Sequence, residues 1–295
     1  MISLSAGDAA VVLAPETGGA IAGWRLGHSL VLRQPEPAAM LGGPARRLSA
    51  FPLVPFSNRI ADGRFAFAGT EHTLTRADPS FAVPIHGLGW IRPWTLTSVS
   101  ASAARLHLRH PMRAADLDLW PFPFDAELRF DLAPDALTVG LAMTNRHTGP
   151  APAGLGLHPY FPRTAAASLR FAATGVWLTD AGQLPTELVP IPPGWDHAAG
   201  RRIGTVALDH VFAGWDGRAE ISLAPGPVTV AIEASGIFRH VVVYTPPGAP
   251  YFCVEPVSHM TDAVNRAASR DDTGLVVLAP GATLEGEIAF RLRGA

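Results

Sequence analysis

The sequence predicts an all-β protein built as a large antiparallel β-sandwich, and three observations carry that prediction. Apolar residues alternate with polar ones at period two along much of the chain. The 29 glycines and 28 prolines are spread between short apolar stretches instead of gathering in a linker, as punctuation for many turns. Helical spacing of apolar residues rarely outlasts two turns, and many strands with few helices mean a sandwich or barrel. The clearest element is Leu128, Phe130 and Leu132, then Ala133-Pro134-Asp135-Ala136, then Leu137, Val139, Leu141 and Met143, which predicts a β-hairpin. Val228, Val230 and Ile232 predict another strand, and Leu284, Ile288, Phe290 and Leu292 a last one, with a slip near Gly286 that would suit a bulge. Met260 to Ala268 is the best helix candidate. No repeat or composition shift marks a boundary, so residues 1–295 are expected to form a single domain.

Composition excludes several classes of function. With 295 residues and 48% hydrophobic content the chain can close a substantial core, which rules out disorder. Charged residues make up 16% and the net charge is -2, so nucleic acid and anionic membranes are not expected partners. All 23 residues of the Lys and Arg class are Arg, which removes chemistry that needs a Lys amine, such as Schiff bases and P-loops. The one cysteine, Cys253, can form no internal disulfide, and four thiolates cannot gather around a metal. No basic leader and no membrane-length apolar run is visible, and the expected compartment is the cytoplasm. HExxH, GxSxG, CxxC and dinucleotide glycine motifs are absent.

What remains is a set of polar residues in otherwise apolar or Pro/Gly-rich segments. In Gly154-Leu155-Gly156-Leu157-His158-Pro159-Tyr160-Phe161, alternation puts Gly154, Gly156 and His158 on one strand face. A ligand could approach that face closely beside an imidazole acid or base; the alternative is a histidine packed against a neighbouring sheet. The apolar stretch Val241 to Val254, broken at Thr245-Pro246-Pro247-Gly248, delivers Glu255. Desolvation there would raise its pKa toward that of a general base, unless the carboxylate merely emerges into solvent as the strand ends. Pro52 and Pro55 hold an extended segment that presents Asn58 and Arg59, suited to sugar hydroxyls, to a carboxylate or to an ordinary surface ion pair. Ile85-His86-Gly87-Leu88-Gly89-Trp90 continues to Trp94 and combines an imidazole with two indoles that belong either to the core or to a stacking face for a pyranose. Asp209 could accept from a vicinal diol or simply serve a turn.

Taken in order, Asn58-Arg59-Ile60, His86-Gly87, Leu157-His158-Pro159-Tyr160-Phe161, Leu208-Asp209 and Cys253-Val254-Glu255 resemble the aldose 1-epimerase, or galactose mutarotase, family. Asp262-Ala263-Val264-Asn265 and Val277-Leu278-Ala279-Pro280-Gly281 are similar to its C-terminal end. The resemblance spans most of the chain and implies a twisted supersandwich with a sugar in an open cleft. It implies Glu255 as the general base at the anomeric hydroxyl, His158 as the general acid at the ring oxygen, and Arg59, His86, Asp209 and Asn58 as substrate-binding residues. The implied substrate is a free monosaccharide and no metal or other cofactor is called for; a monomer or homodimer is expected. After Glu255 this chain carries Pro256-Val257-Ser258-His259-Met260-Thr261, where the galactose enzymes have a polar Thr or Ser run followed by Asn or His.

Three rival readings follow from the same residues. An epimerase for hexose 6-phosphates would need an extra Arg cluster at the cleft mouth, for which Arg92, Arg201, Arg202 and Arg239 are available. A non-catalytic carbohydrate-binding protein could share the fold. A lyase or hydrolase would need a second acid or a poised tyrosine, with Tyr160, Tyr244 and Tyr251 the only three present.

Overall fold

The structure, a computed structural model, describes residues 1–40, 42–224, 226, 228–267 and 273–294. Two large antiparallel sheets, of eleven and nine strands, account for most of it. The main core lies between them. Trp24 of the first sheet meets Phe290 of the second edge to face, and Phe171 of the second meets Phe212 of the first, with ring centroids 5.9 and 5.0 Å apart. Among the described residues the α-helices are single turns, Pro37–Met40, Ala114–Leu117 and Ala263–Arg266, and no helix is long and apolar enough to cross a membrane.

The hairpin forms as its alternation predicts. Strands Phe124–Ala133 and Ala136–Asn145 pair with Leu132 opposite Leu137, turning through Pro134 and Asp135; Leu128, Phe130 and Leu132 on the first strand and Leu137, Val139, Leu141 and Met143 on the second are all buried. Thr229–Ala234 buries Val230 and Ile232 in the same way. Strand Thr283–Arg293 corrects the expected bulge. It runs in unbroken register, Leu141 opposite Gly286, with strict alternation of burial. The glycine is there because a Cβ would stand 2.6 and 2.7 Å from Ile237 and Phe238 side-chain carbons. The helix expected from Met260 to Ala268 shrinks to Ala263–Arg266, preceded by Asp262 in a left-handed conformation (φ 58°) that right-handed helix cannot include; Ala268 lies outside the described residues.

The eleven-stranded sheet has a second face, turned away from the main core, and a smaller apolar cluster covers it. Phe51, Leu53, Tyr160, Trp177, Val211 and Val242 come from its strands, while Ile85, Trp90 and Met260 come from loops laid over them. Period two forces this division: Phe252 and Val254 turn to the main core, so Cys253 and Glu255 turn to the other face. A cleft opens between that face and the loops.

Candidate active site

Glu255 sits in mid-strand within Tyr251–Val257 and is 2% exposed, so it does not emerge into solvent. Gly156 opposes Val257 and Tyr160 opposes Cys253, a phase that sets His158 directly opposite Glu255 on the neighbouring strand Gly156–Pro162. Their side chains meet, His158 Nε2 standing 3.2 Å from Glu255 Oε1. Pro159 and Pro256, which bring no N–H to the ladder, flank the pair. The same row continues to Phe51 on one side and to Val242 and Val211 on the other. Phe51 and Tyr160 both stack on the His158 imidazole, each with centroids 4.6 Å away, and fix its plane.

The pair lines a cleft of about 240 Å³ with Asn58, Arg59, His86, Gln183, Asp209 and further residues. All six residues expected at the site therefore meet in one place. Asn58 and His86 both have positive φ, 58° and 62°, and lock to each other: the Asn58 N–H donates to His86 Nδ1 at 3.1 Å, and the His86 N–H to the Asn58 carbonyl at 2.9 Å. Because His86 Nδ1 accepts, its ring proton is on Nε2, where it serves as a neutral donor. Asn58 Oδ1 receives the Arg59 N–H and Nη1, both at 3.0 Å, so the Asn58 side chain positions Arg59. The turn Ala263–Arg266 fastens this loop. Asp262 Oδ1 accepts from the Ala61 N–H and from Asn265 Nδ2, and the Asp262 N–H donates to the Arg59 carbonyl. The Arg59 guanidinium then reaches the Gln183 carboxamide and lies 3.6 Å from Asp209.

Electrostatics follow from burial. Desolvation, reinforced by the Asp209 carboxylate and opposed by Arg59, pushes Glu255 well above the ordinary carboxylate range. Desolvation and the positive charge of Arg33 push His158 down to about 3. Arg33 stands 3.4 Å above the Tyr160 ring, on the far side of the ring that touches His158. His86 is likewise held well below its usual range by burial, then by His158 and Arg59. Asp209 is raised by burial against the pull of Arg59 and His210. His158 Nδ1 has no hydrogen-bond partner among the described residues, and only the residue's own backbone opposes the effect of its lost hydration.

One expectation needs correction. Neither Gly154 nor Gly156 makes room for a ligand. A Cβ on Gly154 would fall 2.1 Å from His259 Cδ2, and one on Gly156 would press on Val257, Leu53 and the Pro256 carbonyl. The bulk these glycines spare belongs to neighbouring protein. His259 cannot step aside, since its Nε2 accepts the Ser57 N–H and its Nδ1 bonds the Met260 carbonyl at 2.7 Å. We therefore expect Gly154→Ala to destabilise the fold by about 1–3 kcal/mol, the usual cost of overpacking, as a lowered midpoint in chemical denaturation. An unchanged midpoint would mean that His259 has somewhere to go. The indoles divide: Trp90 lines the cleft, while Trp94 is buried in the main core and donates to the Gly89 carbonyl at 2.8 Å.

Sequence reasoning missed Arg46, Phe81, Gln183, Tyr244 and Tyr251 in the cleft wall, and Arg33 behind it. Only the tyrosines carried any signal, Tyr244 by ending an apolar run that pairs with the Asp209 strand. Among the described residues one group could chelate a metal, since His158, Cys253 and Glu255 offer ligand atoms within 4.8 Å of one another. Burial pushes both the thiol and the carboxyl strongly upward, and both would have to lose protons to bind a cation. Of the arginines considered for a phosphate, Arg92 pairs with Asp116, and none of Arg92, Arg201, Arg202 and Arg239 lines the cleft.

Known proteins agree with this architecture. The profile of the family described as Aldose 1-epimerase matches residues 1–291. YphB of Escherichia coli K12 is 30% identical over 297 residues, which span 94% of this chain and 93% of YphB. The crystal structure of a candidate aldose 1-epimerase from the same organism superposes with a TM-score of 0.90 at 28% identity, covering 99% of this chain and 98% of the other. A galactose mutarotase-like protein from Clostridium acetobutylicum shares the fold, with a TM-score of 0.85 at 18% identity and coverage of 99% and 95%. With this fold and a match across nearly its whole length, the chain belongs to the aldose 1-epimerase family.

Proposed function

We propose that this protein interconverts the α and β anomers of a free, uncharged aldose by opening and closing the sugar ring. The observation that carries the reading is the His158–Glu255 contact, 3.2 Å between two buried titratable groups on the floor of a cleft. The reaction must take a proton from O1 and give one to O5. Both oxygens are bonded to C1, so two side chains next to each other on adjacent strands suit it better than two facing each other across a ring.

The proton count balances. Burial favours the uncharged pair, a protonated Glu255 beside a neutral His158. Moving that one proton across the contact gives a carboxylate and an imidazolium with no exchange with solvent. The Glu255 carboxylate then takes the O1 proton, the C1–O5 bond breaks with its electron pair on O5, and the His158 imidazolium protonates O5. At the open-chain aldehyde both side chains are uncharged again, the state that desolvation favours. Rotation about C1–C2 turns the carbonyl, and closure with the roles reversed yields either anomer. His86 Nε2–H, Arg59 and Asp209 hold the remaining hydroxyls and supply positioning.

An uncharged sugar is favoured over a phosphorylated one because, among the described residues, each guanidinium in the cleft already faces a carboxylate. Arg46 lies 3.2 Å from Asp78 and Arg59 lies 3.6 Å from Asp209. Polarimetry or proton NMR on freshly dissolved α-anomers of glucose, galactose, xylose, arabinose and glucose 6-phosphate tests the proposal. We expect faster equilibration of neutral sugars. Acceleration confined to glucose 6-phosphate would favour the phosphate reading, and no acceleration at all would leave a carbohydrate-binding protein.

A further inference from the structure

Gln183 belongs to none of the segments that carry the family resemblance, yet it closes one wall of the cleft. It sits at the tip of the hairpin joining strands Gly175–Thr179 and Pro185–Val189. That tip is tightly built. Asp180 Oδ1 accepts the N–H groups of Gly182 and Leu184 at 2.8 and 2.9 Å, and the Gln183 N–H donates to the Asp180 carbonyl at 3.0 Å. From outside the hairpin the Arg266 guanidinium donates to the Pro185 carbonyl. Within this frame Gln183 has φ 61°, a left-handed conformation that glycine adopts without steric cost and a side chain such as glutamine does not. A glycine would satisfy the turn alone, so the side chain is the reason for a glutamine here.

The chemistry of its partner fixes which way the carboxamide faces. Arg59 has only donors to offer, so the Gln183 atom bonded to it is the carbonyl oxygen. The two N–H bonds of Nε2 are thereby left for a partner other than Arg59, and Asp209, 3.6 Å from the same guanidinium, lines the same cleft. A carboxylate acceptor and an amide donor flank one arginine, a pattern that matches two neighbouring hydroxyls of which one donates and the other accepts.

We infer that Gln183 is a specificity-determining residue that donates a hydrogen bond from Nε2 to one sugar hydroxyl, beside the hydroxyl held by Asp209. This rests on the mutarotase reading and assigns the donor that this chain adds to it. The test compares wild type, Gln183→Leu and Gln183→Glu in mutarotation kinetics with glucose and with its monodeoxy analogues lacking in turn the hydroxyl on C2, C3, C4 or C6. The glutamate variant keeps an oxygen for Arg59 and has no N–H.

For glucose, Gln183→Leu should raise KM about fivefold to tenfold, the size of one lost hydrogen bond, with kcat little changed. Gln183→Glu should show the same rise. For one analogue the wild-type protein should already carry that penalty, and neither variant should add to it. Restoration of the wild-type KM by Gln183→Glu would overturn the inference, since Gln183 would then act only by holding Arg59. An equal loss for glucose and all four analogues would overturn it too. A wild-type protein that accelerates no sugar would sink the mutarotase reading itself, whereas an active wild type with either pattern just described would sink this inference alone.

Discussion

Replacing Glu255 by Gln is expected to lower kcat at least about a hundredfold, the scale of a lost general base, while raising thermal stability at alkaline pH. Gln keeps the shape and can still meet His158 Nε2, but it cannot take the O1 proton. The gain in stability follows from the direction of the pKa shift. Burial raises the folded-state pKa of Glu255 above 4.5, so this group favours the fold below that pH, and its contribution is lost as pH rises through the folded value. A permanently neutral Gln escapes the loss. Melting curves of the two proteins should coincide in acid and separate with rising pH, the variant melting higher, while polarimetry follows the activity. Near-normal turnover would remove Glu255 from the role of base, and a Tm difference independent of pH would mean that its carboxyl is not desolvated.

His158→Asn is expected to cost at least about a hundredfold in kcat as well, with the opposite response to pH. Asn has a polar head but no titratable nitrogen, so O5 must leave without a proton. Here the folded-state pKa is depressed, from 6.5 to about 3, and the stability that the neutral imidazole confers is present above 6.5 and drains away as pH falls toward 3. Losing the imidazole removes that acid sensitivity. Tryptophan fluorescence during acid titration should therefore show wild type unfolding at a higher pH than the variant. Wild-type and variant acid midpoints that coincide would contradict the burial argument, and full activity would remove His158 from the role of acid. In the proposed mechanism His158 and Glu255 share one proton, so the wild-type rate should be bell-shaped in pH, with two limbs that belong to the pair and not to either residue.

Much of the strand architecture was legible because period two is a local property. Leu128 to Leu132 and Leu137 to Met143 declare a hairpin without reference to anything distant, and Leu284 to Leu292 declares the last strand. Glycine is where local reading failed. Gly286 looked like a slip in the pattern, and Gly154 and Gly156 looked like room for a ligand, yet each empty Cβ position is filled by another part of the chain. An absent side chain says that something comes close and leaves the identity of the neighbour open. The six polar residues expected at the site were legible through the resemblance, since each lies in a distinctive short segment. Gln183, Arg46 and Phe81 were not, because loops and a short 3-10 turn bring them to the cleft. Arg33 escaped for another reason: it acts on His158 through the Tyr160 ring, and no pattern within one segment encodes a charge placed behind a neighbour.

On the proposed mechanism, the meeting of His158 and Glu255 across two adjacent strands would make catalysis a reporter of assembly. A slip of one residue between Gly156–Pro162 and Tyr251–Val257 would send one of the two side chains to the opposite face, and a slip of two would carry them out of reach of each other. The two segments are far apart in the chain, so this pairing closes a long loop and belongs to the slow part of folding. Return of mutarotation during refolding would then mark the moment at which the centre of the sheet finds its phase, and a molecule with correct hairpins but a misaligned central pair would be compact, rich in strand and silent.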